Sequence, residues 1–68
     1  MTPHQQRVMN EKTELDERIQ KLVAFFSTET FDGLDEYEKA LLRMQANTML
    51  TYSGLLELRI SQFKEATA

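Results

Sequence analysis

Ser27-Thr28-Glu29-Thr30-Phe31-Asp32-Gly33 is the one stretch of this 68-residue sequence in which turn-forming residues cluster. A long segment with helical periodicity runs on either side of it. The stretch therefore divides the chain into two helices, and its shortness makes them antiparallel neighbours. The expected fold is all-α: an antiparallel two-helix hairpin, one domain over residues 1–68, with a helix over about 3–27, a turn over about 28–34 and a helix over about 35–64. Phe31 and Leu34 are expected to fold back over the end of the pair.

Upstream of the turn, Thr2 caps the first helix, Pro3 suits its first position and Gln5 completes a Thr-x-x-Gln capping box. Val8, Leu15, Ile19, Leu22 and Phe26 follow at steps of seven, four, three and four, which marks one helical stripe. Lys12 occupies the missing stripe position, where its aliphatic stem lies along apolar surface. Glu14–Arg18 and Glu17–Lys21 are spaced as favourable i,i+4 pairs.

Downstream, Asp35 with Glu38 forms a variant capping box, and Glu36 adds charge to the first turn. Leu42, Met49, Leu56 and Phe63 recur every seven residues. Gln45, Tyr52 and Arg59 are read as the complementary row, with Leu41, Leu55 and Ile60 widening the apolar face. Gly54 sits mid-helix, where glycine costs about 1 kcal/mol relative to alanine. It is read either as tolerated or as the point where another helix approaches.

Size then argues for assembly. A single core in a chain below about 70–80 residues rarely supplies more than ~3–5 kcal/mol. The sequence has no cysteine and one histidine, which excludes disulfides, thiolate zinc sites and multi-histidine metal sites. Self-association into a helical bundle is the remaining route. Met9, Val23, Phe25, Met44 and Leu50 lie off the main seam and are expected to meet another copy. No run of residues reaches the ~20 apolar positions of a membrane span, and residues 1–10 lack the apolar core of a signal peptide. The expected location is the cytoplasm. A net charge of −3 argues against duplex nucleic acid as a partner.

Catalytic chemistry has little to work with. His4 is the only histidine, and no phosphate-binding glycine loop is present. Glu29, Asp32, Asp35, Glu36 and Glu38 place five acids in ten residues, without the spacing of a calcium loop. They read as a solvated, acidic helix start. The opposite end gathers His4, Arg7, Lys12, Arg59 and Lys64 beside the N-terminus of the first helix, whose free amides and dipole favour anions. Antiparallel pairing sets Leu15 against Tyr52, Lys12 against Leu56 and Val8 against the Arg59–Ile60 region. Arginine grips phosphate with parallel hydrogen bonds, and Tyr52 offers a ring to a base. The competing reading makes Arg59 a seam residue paired with Glu11 or Glu57, and Tyr52 ordinary core.

The opening Thr2-Pro3-His4-Gln5-Gln6-Arg7-Val8, followed by Glu11-Lys12-x-Glu14-Leu15, resembles a family of short phage proteins labelled after a crAss-like phage member. So does the later pattern Leu41-Leu42-x-x-Gln45-x-x-x-Met49-x-x-Tyr52, then Leu56-x-x-Arg59-Ile60-x-x-Phe63. The resemblance covers almost the whole chain. It departs at Thr28-Glu29-Thr30, where a segment with Asn or Pro is more usual, and at Ala46-Asn47-Thr48. It implies a phage or prophage origin and an accessory role, and brings no activity with it.

In size and architecture the chain is also similar to helical-hairpin phage proteins of the anti-CBASS and anti-Thoeris classes, which sequester cyclic nucleotide signals of bacterial immunity. That similarity implies a non-enzymatic oligomeric sponge, without cofactor or metal, for a cyclic nucleotide or ADP-ribose-type signal in the host cell. Arg7 and Arg59 would hold phosphate, His4 and Lys12 would assist, Tyr52 would stack on a base and Gln45 would hydrogen-bond. The alternative is an interaction module whose off-seam Met and Phe residues block a host defence protein.

Overall fold

The computed structural model describes residues 1–67, with side chains described through Phe63. Three helices follow in order: α1 (Pro3–Phe25), α2 (Glu29–Asp32) and α3 (Glu36–Thr67), and no strand occurs among the described residues. The molecule is a rod of 51 × 15 × 14 Å. Its length is that of α3, whose 32 residues span about 48 Å at ~1.5 Å per residue. No helix among the described residues is long and apolar enough to cross a membrane.

Local hydrogen bonds set each helix boundary. Thr2 Oγ1 accepts from the Gln5 amide at 3.1 Å, and Gln5 Oε1 accepts from the Thr2 amide at 3.0 Å. That closed box, with Pro3 at the first position, starts α1. Thr28 ends it. Its hydroxyl donates to the Phe25 carbonyl at 2.7 Å and its amide donates to the same oxygen at 3.0 Å. The Thr28 hydroxyl also accepts from the Phe31 amide at 3.2 Å, so one side chain closes α1 and caps α2.

The segment expected as plain turn is thus partly helical. Phe31 anchors it and is only 3% exposed. Its ring centroid lies 5.9 Å from that of Phe25 and 5.1 Å from that of Phe26. Lys39 Nζ and the Arg43 guanidinium stand over the same ring at 5.8 and 5.3 Å, in cation–π range. Asp35 Oδ1 accepts from the Glu38 amide at 2.7 Å and caps α3.

The contacts between α1 and α3 run in opposite senses along the chain. Phe25 meets Leu41 and Leu42 around one recess. Further along, Asp16 meets Ser53 and Glu11 meets Tyr52. Val8, Leu15, Ile19 and Leu56 form the core, with Met49, Ile60 and Phe63 packed on it. Leu56 is fully buried.

The α1 row of the seam lies where its spacing predicts, but the second α3 row is displaced by one residue. Ala46, Ser53 and Ile60 occupy it, not Gln45, Tyr52 and Arg59, which are exposed. Three- and four-residue steps both satisfy a heptad. The small side chains of Ala46 and Ser53 let the two backbones approach, and larger residues one position earlier are turned out by about 100°. Leu41 and Leu55, expected to widen the seam, are also exposed. The pairs Glu14–Arg18 and Glu17–Lys21 are not closed. Among the described residues the salt bridges are Lys12–Asp16 at 2.7 Å and Lys39–Glu36 at 3.4 Å. Exposed pairs are worth too little to fix two long side chains.

Candidate functional site: the polar edge of the helix pair

One edge of the α1–α3 pair carries most of the polar residues singled out from the sequence. His4, Glu11, Arg18 and Phe25 recur every seven residues on α1, and Glu38, Gln45, Tyr52 and Arg59 do so on α3. One rung of this ladder is in direct contact and a second borders a common recess. Phe25 and Glu38 line the recess at the turn end, and the Tyr52 hydroxyl donates to the Glu11 carboxylate. Heptad spacing then sets Gln45 level with Arg18 and Arg59 level with His4. Arg7 lies one turn from both His4 and Glu11, beside the same edge.

The Tyr52–Glu11 bond has an electrostatic signature. Its acceptor is a carboxylate, which favours the neutral phenol, so the Tyr52 pKa is raised; burial and the Glu11 charge act in the same direction, against a smaller opposing effect from Arg59. The Arg59 charge is therefore felt at Tyr52. Glu11 belongs to Tyr52, not to Arg59 as one reading held. Among the described residues Arg59, Arg7 and His4 form no salt bridge. Half-exposed Tyr52 presents its ring along the edge while its hydroxyl is occupied. Gln45 is exposed, with only a long 3.9 Å contact from its amide nitrogen to Met49 Sδ.

Lys12 does not join this edge. It sits in the seam and meets Ser53, one turn before the Leu56 level expected for it. Its ammonium donates to Asp16 Oδ2 at 2.7 Å and to Ser53 Oγ at 3.3 Å, while Ser53 Oγ donates to Asp16 Oδ1 at 2.5 Å. The hydrogen bond to Asp16 raises the Lys12 pKa against the opposing effect of burial. The Asp16 pKa is lowered, first by the bond from Lys12 and then by that from Ser53. This closed triad satisfies the polar groups of the seam, and no buried side-chain polar atom among the described residues lacks a partner.

The anion-binding helix start is also reduced. Pro3 has no amide hydrogen and the Gln5 amide is taken by Thr2, so only the His4 amide stays open in the first turn. Lys64 lies outside the residues whose side chains are described. Sequence reasoning missed Asp16 and Ser53. Asp16 is legible as the residue four after Lys12, and Ser53 only once the 46–53–60 row is chosen. Among the described residues no three His, Asp or Glu side chains gather to hold a metal.

A pair of long helices with small residues in the seam and a polar edge of arginine, histidine, glutamine and tyrosine makes this an all-α protein with charged and hydrogen-bonding groups gathered along one side. The chain belongs to the Sequestin family, whose model matches residues 2–62 and so takes in the entire edge. The family name denotes a sequestering role. No curated protein and no solved structure matches the chain.

Proposed function

We propose that this protein is a non-enzymatic phage protein, a self-associating helical hairpin that sequesters a small nucleotide signal of bacterial immunity in the host cytoplasm. Membership of a family named for sequestration, over residues 2–62, is the observation that carries the reading. The polar edge supports the choice of an anionic, base-containing cargo. In this reading Arg59 and Arg7 supply phosphate-binding guanidinium groups, His4 assists at the Arg59 level, and the exposed Tyr52 ring and Gln45 amide stack on and hydrogen-bond to the base. Lys12 is withdrawn from the binding set by its triad.

A thermal-shift screen against cyclic di- and trinucleotides and ADP-ribose derivatives tests this reading. A ligand present at about 100 times its Kd adds ~2.7 kcal/mol of stability. The bound compound is recovered chemically unchanged, and Arg7→Glu abolishes the shift without loss of helix. Absence of a shift with every nucleotide tried sinks the proposal. The exposed Met44, Leu55 and Leu58 side chains favour a second reading, a module that docks on and blocks a host defence protein. Affinity capture from host lysate reads that directly, and recovery of no specific partner counts against it.

A further inference from the structure

The helix α3 carries a second apolar seam that nothing among the described residues covers. Tyr37, Leu41, Met44, Leu55 and Leu58 are 73, 44, 62, 51 and 66% exposed. With Thr48 and Thr51 they step by four, three, four, three, four and three, the same alternation as the covered row at 42, 46, 49, 53, 56, 60 and 63. Five residues separate the two rows in register, which puts them ~140° apart around the helix. One face of α3 is sealed by α1 and the face nearly opposite is bare. Scattered exposed leucines are ordinary, but five large exposed side chains in one heptad row, interrupted only by Thr48 and Thr51, suit a second helix.

We infer that this face is covered by the same face of a second copy, with the two α3 helices antiparallel about a two-fold axis near Thr48. About that point Tyr37 and Leu41 mirror Leu58 and Leu55 and Thr48 meets its own copy, while Met44 falls opposite the partner's Thr51. Antiparallel pairing sets Leu41 opposite the partner's Leu55 and Tyr37 opposite the partner's Leu58. The apolar recess of about 360 Å³ lined by Phe25, Leu34, Glu38, Leu41 and Leu42 opens beside Leu41, at the end where the partner's Leu58 arrives.

Charge selects this occupant and this direction. The row flanking the bare seam reads Glu38, Gln45, Tyr52, Arg59. Paired antiparallel with itself, it sets Glu38 against the partner's Arg59 and Gln45 against the partner's Tyr52. Parallel pairing sets that row against the uncharged Ala40, Asn47, Gly54 and Ser61, and stacks the acidic turn ends on each other. On this small flank, nothing among the described residues lies within 4 Å of a side chain built at Gly54, so α1 does not require the glycine. The inference rests on the self-association within the proposed function but not on its nucleotide cargo.

Sedimentation velocity without any nucleotide tests it first. The wild-type chain sediments as a dimer or a multiple of one, while Leu55→Asp and Leu58→Asp each weaken association by about tenfold or more and retain the helical signal. Glu38→Arg and Arg59→Glu each weaken it, and the two together restore it. Cysteine cross-linking reads direction, because the chain has no cysteine of its own. Leu41→Cys mixed with Leu55→Cys forms a disulfide between chains, and Leu41→Cys alone does not. In the antiparallel pair two copies of position 41 are ~21 Å apart along the axis, beyond the ~4.4–6.8 Å a disulfide spans. A wild-type monomer at every concentration overturns both this inference and the self-association it rests on. Assembly that survives both aspartate variants, or a disulfide in Leu41→Cys alone, overturns the inference and leaves self-association standing. Nucleotide binding is read separately and bears on neither outcome.

Discussion

Lys12 stands where the α1 stripe calls for an apolar residue, and Asp16 and Ser53 decide what it does there. A lone ammonium in a helix seam carries a desolvation cost that a nearby carboxylate and hydroxyl offset. Lys12 and Asp16, with Tyr52 on the polar edge, make the stability of the helix pair depend on pH in a way whose sign follows from their shifts. Asp16 is held below its ordinary value of 3.8. Its contribution is present above that value and is lost as pH falls through the lower folded one. Lys12 and Tyr52 are raised above 10.5 and 10.0. Their contributions are present below those values and are lost as pH rises through the folded ones. Melting followed by circular dichroism therefore shows a plateau with a falling limb on each side. Asp16→Asn removes its own share of the acid limb and lowers the plateau, because it strips Lys12 of its partner. Tyr52→Phe removes part of the alkaline limb, lowers the plateau by the share Tyr52 contributed and leaves the acid limb of Asp16 in place. An alkaline limb unchanged by Tyr52→Phe would contradict the Glu11 pairing.

At the scale of the element, the two long helices were unequally legible. The α1 stripe is unambiguous because Val8, Leu15, Ile19, Leu22 and Phe26 are all large and apolar, and the capping box and the Asp35 cap fix where helices begin. In α3 apolar residues occur nearly all round, and size misleads. The seam takes Ala46 and Ser53 because close helix packing wants small side chains, whereas pattern matching prefers the larger Tyr52. Leu41 and Leu55 were apolar enough to be assigned to the seam but belong to the opposite row. The four-residue α2 was illegible as a helix, since it depends on Phe31 packing between Phe25 and Phe26 across the turn. Two substitutions test this account of α3. Leu56→Ala empties the centre of the seam and costs about 2–5 kcal/mol, comparable with the ~3–5 kcal/mol a core of this size supplies, so urea titration of the dilute chain finds it largely unfolded. Gly54→Ala meets open space within the chain and raises the stability of the dilute chain by up to about 1 kcal/mol. A loss on Gly54→Ala at the same dilution would mean that another part of the chain packs there.

At the scale of the whole molecule, charge and apolar surface are distributed unevenly. The turn end carries the acidic first turns of α2 and α3, and the opposite end carries His4, Arg7 and Arg59. The sequence made that polarity visible because it depends only on chain reversal, not on register. It did not show which cations stay in the open. Lys12 withdraws into the seam through a residue, Ser53, that lies far away in sequence, and Arg59 turns outward through the one-residue displacement of the α3 row. The same displacement exposes a row of leucines along most of α3, so a rod only 14–15 Å thick presents a long apolar face to solvent. Burying that face in a second copy couples folding to concentration. Since only the folded form pairs, mass action raises stability as the protein is concentrated. Differential scanning calorimetry over a hundredfold range of concentration therefore shows the wild-type melting temperature climbing steadily. Leu55→Asp begins its climb at a concentration about tenfold or more higher and stays nearer the dilute limit of the wild type. Val23→Asp is the matched control, an equally exposed apolar residue on α1 away from the bare row, and it climbs as the wild type does. A wild-type melting temperature independent of concentration would place the stability of this chain within the single helix pair and leave the second row of α3 without a thermodynamic role.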